Sequence, residues 1–215
     1  MFLDANGRSF QYLRLSITDV CNYRCSYCLP DGYVETSPRH FLNPEEIRNL
    51  VTGFAGLGLW KVRLTGGEPT VRKDFAQIAA MVSAIPGIRK LATTTNGYQL
   101  EKHAQLWRDA GISAINVSVD SLDRANFQRI TGMDHLPRVL AGIDAAEAAG
   151  FDDIKINTVL LKGIDARGLT FYTNYGSPGH RRRDSAQRPP HLCWLLEQLR
   201  SNRGSDGPGR VVPLR

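Results

Sequence analysis

Three cysteines, Cys21, Cys25 and Cys28, lie within eight residues of one another in the spacing C-x3-C-x2-C. Thiolates are soft ligands that select zinc, copper(I) or iron–sulfur clusters. Structural zinc and iron–sulfur clusters usually take four protein ligands. Three cysteines without an evident fourth therefore favour a metal centre that keeps one position open for a substrate or cofactor. A zinc site and a chance group of small apolar side chains remain as alternatives, although the polar neighbours do not suit a core strand.

The formal net charge of +6 is unevenly distributed along the 215 residues. Residues 1–166 contain 18 basic and 18 acidic residues, whereas residues 167–215 contain 9 Arg and 3 acidic residues. The excess charge therefore belongs to the final segment and not to a folded surface. A nucleic-acid-binding module that uses this segment is one alternative function, and the neutral body weighs against it.

Location is indicated by what the sequence lacks. It has no run of about 18 apolar residues, which a membrane-spanning helix needs. Residues 1–10 do not show the charged and then apolar pattern of a secretory leader. Cys193 is the one cysteine outside the triplet, so a disulfide framework is not expected. We predict a cytoplasmic protein that does not contact a membrane.

Strand-like and helix-like segments alternate along the first three quarters of the chain. Strands are predicted at residues 13–17, 61–65, 89–94, 115–119 and 154–160. Helices are predicted from a capping box at Asn43 and Glu46, along a face with Phe75, Ile78, Ala79 and Val82, and at 100–110 and 136–149. This alternation predicts an α/β fold with a parallel sheet or barrel, because parallel neighbours need crossover helices.

The unusual residue clusters all follow predicted strands. They are the cysteine loop, the Gly-Gly-Glu-Pro turn at 66–69, the Thr-Thr-Asn-Gly turn at 94–97 and the Asp-Ser pair at 120–121. In parallel α/β folds, chemistry gathers at the carboxyl ends of strands. We therefore expect these clusters to form one site.

Periodicity ends near residue 166. Residues 167–215 are rich in Arg, Pro, Gly and Ser and contain no Ile, Met or Lys. Such a composition buries too little apolar surface to offset the entropy lost on ordering. We predict a partial barrel over residues 1–166, followed by a basic segment over 167–215 that is either disordered or translated out of frame.

Five segments in order resemble the radical S-adenosylmethionine (SAM) superfamily, and within it the GTP 3',8-cyclases of molybdenum cofactor biosynthesis. They are residues 12–30 with the cysteine motif, 62–69 with Gly-Gly-Glu-Pro, 94–97, 116–122 and 154–159. The resemblance implies an incomplete (β/α) barrel of the TIM type. It also implies that Cys21, Cys25 and Cys28 hold a [4Fe–4S] cluster whose open iron binds SAM.

The activity that this resemblance implies is the first step of molybdopterin synthesis. An electron from the cluster would cleave SAM, and the resulting 5'-deoxyadenosyl radical would abstract H-3' of GTP on the way to 3',8-cyclo-7,8-dihydro-GTP. GTP would be the substrate, and a flavodoxin or ferredoxin would donate the electron. A homodimer, as in the family, is compatible with the resemblance.

The resemblance also assigns cofactor and substrate contacts. Tyr27, Gly67 and Ser118 would bind SAM, at the adenine, the amino group and the end of a strand respectively. Their alternatives are a packed aromatic ring, a plain strand-end turn and a hydroxyl bonded to backbone.

Arg14, Arg63, Thr94 and Lys155 resemble GTP contacts, and cationic side chains suit a triphosphate. The alternative for the three cationic side chains is structural salt bridges, with Glu68 and Asp120 as candidate partners.

The sequence departs from the family beyond residue 165. The family holds a second cluster with three further cysteines, but only Cys193 is present here, so this chain cannot form that cluster. We expect impaired turnover, an exposed edge strand and a product prone to aggregation. A non-catalytic fragment from a disrupted reading frame is the alternative interpretation.

Overall fold

The computed structural model describes residues 5–35, 40–159 and 161. The strands are β1 (Tyr12–Ser16), β2 (Lys61–Thr65), β3 (Lys90–Thr95), β4 (Ala114–Ser118) and β5 (Asp153–Asn157). The helices are α1 (Pro44–Gly56), α2 (Phe75–Ser83), α3 (Leu100–Asp109), α4 (Arg124–Thr131) and α5 (Leu136–Ala148). A single 3₁₀ turn, Pro69–Val71, follows β2. The predicted basic segment at 167–215 lies outside the described residues.

The five strands form one parallel sheet in the order β1-β2-β3-β4-β5. Leu13 lies opposite Val62 at one end of the sheet, and Asn116 lies opposite Lys155 at the other. Helices occupy every connection between neighbouring strands, as parallel pairing requires. This arrangement is the beginning of a (β/α) barrel, and the predicted fold class is confirmed. Within the part of the chain that the structure describes, β1 and β5 are the edges of the sheet.

Helix α1 begins as the sequence predicts. Asn43 Oδ1 accepts a hydrogen bond from Glu46 N at 2.9 Å, and Glu46 Oε2 accepts one from Asn43 N at 2.8 Å. This reciprocal pair is a capping box, which satisfies two backbone donors that would otherwise lack partners. Pro44 at the first position needs no such partner, because it has no N–H.

Helix α4 is missing from the sequence-based prediction. Asp123 caps it by accepting a 2.7 Å hydrogen bond from Asn126 N, and Gly132 ends it with φ 71°. Only Phe127 and Ile130 provide large buried side chains. A helix of 8 residues with two apolar positions is too short for a helical period to stand out from the sequence.

The two faces of the sheet differ in polarity, because alternate strand residues point to opposite sides. One face packs on the helices and forms the core, with Val62, Leu64, Leu91, Ile115 and Ile154. The other face, which we call the polar face, carries Arg14, Arg63, Thr94, Asn116 and Lys155. Among residues 5–35, 40–159 and 161, no helix has the length and apolar character needed to cross a bilayer.

Candidate active site

The cysteine loop leaves the carboxyl end of β1 and turns sharply. The backbone N–H groups of Cys28 and Leu29 both donate to Cys25 O at 2.9 Å. This shared acceptor folds the segment between Cys25 and Cys28 into a tight turn. Cys21 and Cys25 are half-buried and Cys28 is exposed, so the Cys28 end of the loop is the more open to solvent.

The loop is held in place by α4. Arg24 N donates to Thr131 O at 3.1 Å, and Ser26 N donates to Ile130 O at 2.8 Å. These bonds use carbonyl groups in the last turn of α4, which have no partner within the helix. The Tyr23 ring packs edge-on against Phe127, with ring centroids 6.3 Å apart. The short helix that sequence reasoning missed is therefore a support for the cysteine loop.

The thiols themselves are poorly disposed to ionise alone. Burial raises the pKa of Cys25 to about 12, and the charges of Asp120 and the other two cysteines add to the rise. Burial also raises the pKa of Cys21, although the N–H of Tyr23 donates to its sulfur and acts in the opposite direction. Ligand thiolates at these positions therefore need adjacent positive charge, which iron ions supply. The residues fit an iron–sulfur cluster in this respect.

The described residues contain no group of three His, Cys, Asp or Glu side chains placed to chelate a single metal ion. A [4Fe–4S] cluster binds each cysteine to a different iron. The ligands of such a cluster need not converge on one point, so the lack of a single-ion site among the described residues does not count against a cluster at the three cysteines.

The Gly-Gly turn after β2 lies against the backbone that enters the cysteine loop. Gly67 N donates to Thr18 O at 2.9 Å, and Glu68 N donates to Val20 O at 2.8 Å. A Cβ at Gly67 would lie 2.5 Å from Asp19 O and 2.6 Å from Val20 O. No side chain fits there, because the two backbones are already in contact. The chain itself therefore requires glycine at this position, before any cofactor is considered.

Glu68 is a buried hub and not a salt-bridge partner. Its side chain is 1% exposed and accepts hydrogen bonds from Thr70 N and Oγ1, Thr95 Oγ1 and Asn96 N, at 3.2, 2.6, 2.8 and 2.6 Å. Burial raises its pKa, and the donated bonds oppose this rise. The alternative that paired Glu68 with a cationic strand residue is wrong, because neutral donors from neighbouring turns satisfy the carboxylate.

Asp120 is also satisfied without a cation. Asp120 Oδ2 accepts from the Tyr27 hydroxyl at 2.8 Å, and Asp120 Oδ1 accepts from Val159 N at 2.9 Å. The alternative that made Asp120 a salt-bridge partner of a cationic strand residue is therefore wrong as well. Tyr27 lies between two cysteines, and its ring is 43% exposed, which disfavours a purely packed aromatic. Ser118 ends β4 on the polar face, opposite Asn157.

The polar face brings the four predicted GTP contacts to one side of the sheet. Arg14 lies opposite Arg63 in the register of β1 and β2. Arg63 Nη1 donates to Thr94 Oγ1 at 3.4 Å, while Arg63 Nε is buried without a hydrogen-bond partner among the described residues. Lys155 Nζ lies 3.4 Å from Asp153 Oδ1, so its salt-bridge partner is the residue two positions earlier in β5.

The sequence profile of the Radical SAM superfamily matches residues 15–169. The chain belongs to the radical SAM superfamily. Membership implies a [4Fe–4S] cluster and SAM as cofactors. The matched region contains the cysteine loop, the Gly-Gly turn, strands β2 to β5 and the last two residues of β1.

Among curated proteins, the chain is similar to enzymes named GTP 3',8-cyclase. It is 55% identical over 173 residues to the protein of Psychromonas ingrahamii, a match that covers 80% of this chain and 51% of that protein. It is 48% identical over 205 residues to the protein of Cronobacter sakazakii, which covers 94% and 59% respectively. The chain thus spans about half the length of the curated relatives it matches. The second match exceeds the length of residues 1–166, so the similarity extends into residues 167–215.

Two solved structures have a similar fold at low sequence identity. The structure of HydG, a maturase of the [FeFe]-hydrogenase, has a TM-score of 0.58 at 18% identity and covers 69% of this chain and 34% of that chain. The structure of Streptococcus suis SuiB bound to precursor peptide SuiA has a TM-score of 0.59 at 18% identity and covers 69% and 32%. At these identities the likeness shows the fold alone.

Sequence reasoning missed two residues of this candidate site. Asn22 and Asn96 connect the cysteine loop to the turn after β3, with Asn96 Nδ2 donating to Asn22 Oδ1 at 2.8 Å. Asn22 counted only as a polar neighbour of the cysteines, and Asn96 only as part of a turn. A signal was available, because an amide side chain in a turn at a strand's carboxyl end is placed to bond across the site.

Proposed function

We propose that this chain binds a [4Fe–4S] cluster through Cys21, Cys25 and Cys28 and supports reductive cleavage of SAM, as the first part of a GTP 3',8-cyclase reaction in molybdenum cofactor biosynthesis. One observation carries the proposal. The cysteine loop, the Gly-Gly turn and a cationic polar face meet along the carboxyl edge and one side of a single parallel sheet. When bound, the cluster supplies the electron that divides SAM into methionine and a 5'-deoxyadenosyl radical, which abstracts H-3' of GTP.

The SAM contacts are proposed for three residues that border the cysteine loop. Gly67 exposes backbone beside the loop, since a side chain there is excluded, and that backbone would face the amino group of SAM. Tyr27 holds an exposed ring beside Cys28, where it would contact the adenine. Ser118 at the end of β4 would donate or accept one hydrogen bond. Membership of the radical SAM superfamily supports these three roles.

The GTP contacts are proposed for the polar face. Arg14 and Arg63 place like charges opposite each other, which is unfavourable without an anion between them or nearby. The buried Nε of Arg63, without a partner among the described residues, supplies a donor that a phosphate oxygen would satisfy. Thr94 already orients this guanidinium, and Lys155 adds a half-exposed ammonium group. A triphosphate fits this combination of charge and unused donors.

The location and the partners of the protein belong to the same proposal. We infer a cytoplasmic enzyme that takes its electron from a flavodoxin or ferredoxin, does not bind nucleic acid, and forms the homodimer that the family allows. One cysteine outside the loop cannot hold a second cluster within this chain. We therefore expect 5'-deoxyadenosine to form while little or no cyclised GTP accumulates.

Anaerobic reconstitution with iron and sulfide tests the proposal. The wild-type chain should gain iron–sulfur absorbance and about four irons per chain, and under reducing conditions with SAM and GTP it should release 5'-deoxyadenosine. Serine substitutions at Cys21, Cys25 and Cys28 should each abolish both signals. Cys193→Ser is the matched control and should leave them unchanged. A wild-type chain that binds iron but never cleaves SAM would support a non-catalytic fragment and contradict the proposal.

A further inference from the structure

Asn96 joins three parts of the site through its own polar atoms. Its backbone N–H donates to Glu68 Oε2 at 2.6 Å, and its side-chain Nδ2 donates to Asn22 Oδ1 at 2.8 Å. Its Oδ1 accepts from Tyr98 N at 3.1 Å, at the start of the segment that leads into α3. One residue after β3 is therefore bonded to the Gly-Gly-Glu turn, to the cysteine loop and to the next helix.

Glu68 makes this junction rigid. A carboxylate that is 1% exposed is costly to desolvate, and a simple strand-end turn does not require one. Its oxygens are occupied by donors from two turns: Thr70 in the turn after β2, and Thr95 and Asn96 at the end of β3. A buried polar network in which every member is satisfied fixes a single geometry. The ends of β2 and β3 are thus locked to each other.

The Asn22 side chain extends this lock to the ligand loop. Asn22 lies between Cys21 and Cys25, beyond the point where the backbone bonds to Thr18 and Val20 hold the chain. Those backbone bonds fix the chain before the first cysteine. The amide bond between Asn96 and Asn22 fixes it after the first cysteine, where the orientation of the remaining ligands is determined.

We propose that Asn96, held by Glu68, is a positioning residue that sets the cysteine loop against the Gly-Gly-Glu-Pro turn through Asn22. The inference rests on the proposed function, in which the loop holds the cluster and the turn receives the amino group of SAM. Cluster and SAM are then held by two segments whose separation is fixed by this hydrogen-bond chain. Asn96 itself touches neither the ligand sulfurs nor any reacting atom in this account.

Substitutions at Asn22 test the hydrogen bond while retaining the cysteines. Asn22→Leu keeps the side-chain shape and removes the acceptor, whereas Asn22→Asp keeps an acceptor oxygen in the same place. Asn22→Ser is too short to reach Asn96 and serves as a second loss-of-acceptor variant if leucine prevents folding. Asn49→Leu, at an exposed position of α1, is the matched control for an asparagine substitution.

The reconstituted full chain is measured for iron content, for SAM affinity, and for the electron paramagnetic resonance spectrum of the reduced cluster with and without SAM. Asn22→Leu and Asn22→Ser should keep wild-type iron content and the spectrum without SAM. They should bind SAM about tenfold more weakly, which is the loss of affinity expected when one ordinary hydrogen bond is removed. The spectral change that SAM causes in the wild type should then need about tenfold more SAM. Asn22→Asp should restore both, and Asn49→Leu should alter neither. Combining Asn22→Leu with Asn96→Ala should weaken SAM binding no further than the stronger single change, because both remove the same bond.

Three results would overturn the inference while leaving the proposed function intact. These are wild-type SAM binding in both loss-of-acceptor variants, failure of Asn22→Asp to restore it, or a loss of iron that fully accounts for the loss of SAM binding. A wild-type chain that gains no cluster and cleaves no SAM would instead overturn the proposed function, and this inference with it.

Discussion

The hydroxyl of Tyr27 donates a 2.8 Å hydrogen bond to Asp120 Oδ2, and this bond joins the cysteine loop to the carboxyl end of β4 across 93 positions of sequence. The other oxygen of Asp120 accepts from Val159 N at 2.9 Å, just beyond β5. One carboxylate, 7% exposed, therefore fastens the loop to two neighbouring strand ends. A second bond, from Asn96 Nδ2 to Asn22 Oδ1, joins the same loop to the end of β3.

Tyr27→Phe isolates the hydroxyl, because the ring remains available to a cofactor. We expect the free energy of unfolding to fall by about 1–2 kcal/mol, since Asp120 Oδ2 loses its donor while it stays largely buried. Urea unfolding measures this change, and SAM titration should show that affinity changes little. Tyr33→Phe, the same chemical change outside the cysteine motif, is the control. Equal stabilities of Tyr27→Phe and the wild type would contradict the role of the hydroxyl.

Gly67→Ala should damage the site through backbone displacement. The added Cβ would meet Asp19 O and Val20 O at 2.5 and 2.6 Å, and backbone atoms cannot move aside as a flexible side chain can. We expect a loss of about 2 kcal/mol or more in the free energy of unfolding, as for other overpacked positions. Iron incorporation should fall in parallel, because the segment that would move leads directly into Cys21.

Gly53→Ala is the matched control for that glycine substitution. Gly53 lies within α1, and nothing lies within 4 Å of the position that a Cβ would take. Alanine should raise the free energy of unfolding by about 0.5–1 kcal/mol, because it loses less backbone entropy than glycine in a helix. Thermal melts of both variants separate the two effects. If Gly53→Ala also lowered the free energy of unfolding, the loss seen in Gly67→Ala could not be assigned to the contacts of its Cβ with Asp19 O and Val20 O.

The positions of the strands and their parallel arrangement were predictable from the sequence, whereas the contacts of the site residues were not. Apolar runs separated by helical periods specify parallel strands, and β1 to β5 appear where those runs lie. The cysteine spacing also marks its loop without reference to the fold. Glu68 shows the limit of such reasoning. Its charge suggested an ion pair, but its partners are decided by which N–H and hydroxyl groups of other segments come within 3.2 Å.

Helix α4 and the two asparagines escaped prediction for a related reason. The sequence of α4 carries a weak pattern, and its stability depends on contacts with Tyr23 and the loop backbone. Asn22 and Asn96 are separated by 74 positions, so nothing local indicates that they meet. The fold brings them together by placing the end of β3 beside the entrance of the loop.

Acid should weaken the chain through Asp74. The paired bonds from Arg72 Nε and Nη2, at 2.9 and 2.7 Å, lower the pKa of this carboxyl from its usual value of 3.8. A carboxyl whose pKa is lower in the folded state stabilises that state above its unfolded pKa, and the contribution is lost as pH falls through the folded pKa. Arg72 also donates to Ile17 O at 2.8 Å, so this pair supports the end of β1.

Asp74→Asn should therefore lower the free energy of unfolding at pH 7 by about 1 kcal/mol, a value discounted for partial exposure of the carboxyl. The difference from the wild type should shrink below about pH 4 and vanish once Asp74 is protonated in both folded and unfolded chains. Urea unfolding at a series of pH values measures it. Asp109→Asn, at an exposed site on α3, should show no such trend, and a pH-independent difference for Asp74→Asn would refute the ion-pair explanation.

Arg63→Gln should weaken GTP binding more than the removal of one positive charge elsewhere on the described surface. Arg63 lies on the polar face opposite Arg14 and donates to Thr94 Oγ1. Its buried Nε has no partner among the described residues, so a bound ligand could accept a hydrogen bond from it. Loss of one charge-assisted bond should reduce affinity about tenfold or more, and the loss should diminish at high salt. Isothermal titration with GTP at low and high salt measures both effects.

Arg48→Gln, exposed on α1, removes the same charge away from the polar face and should leave affinity unchanged. An equal loss in both variants would mean that net charge alone attracts GTP, and the polar face would then not be its binding site.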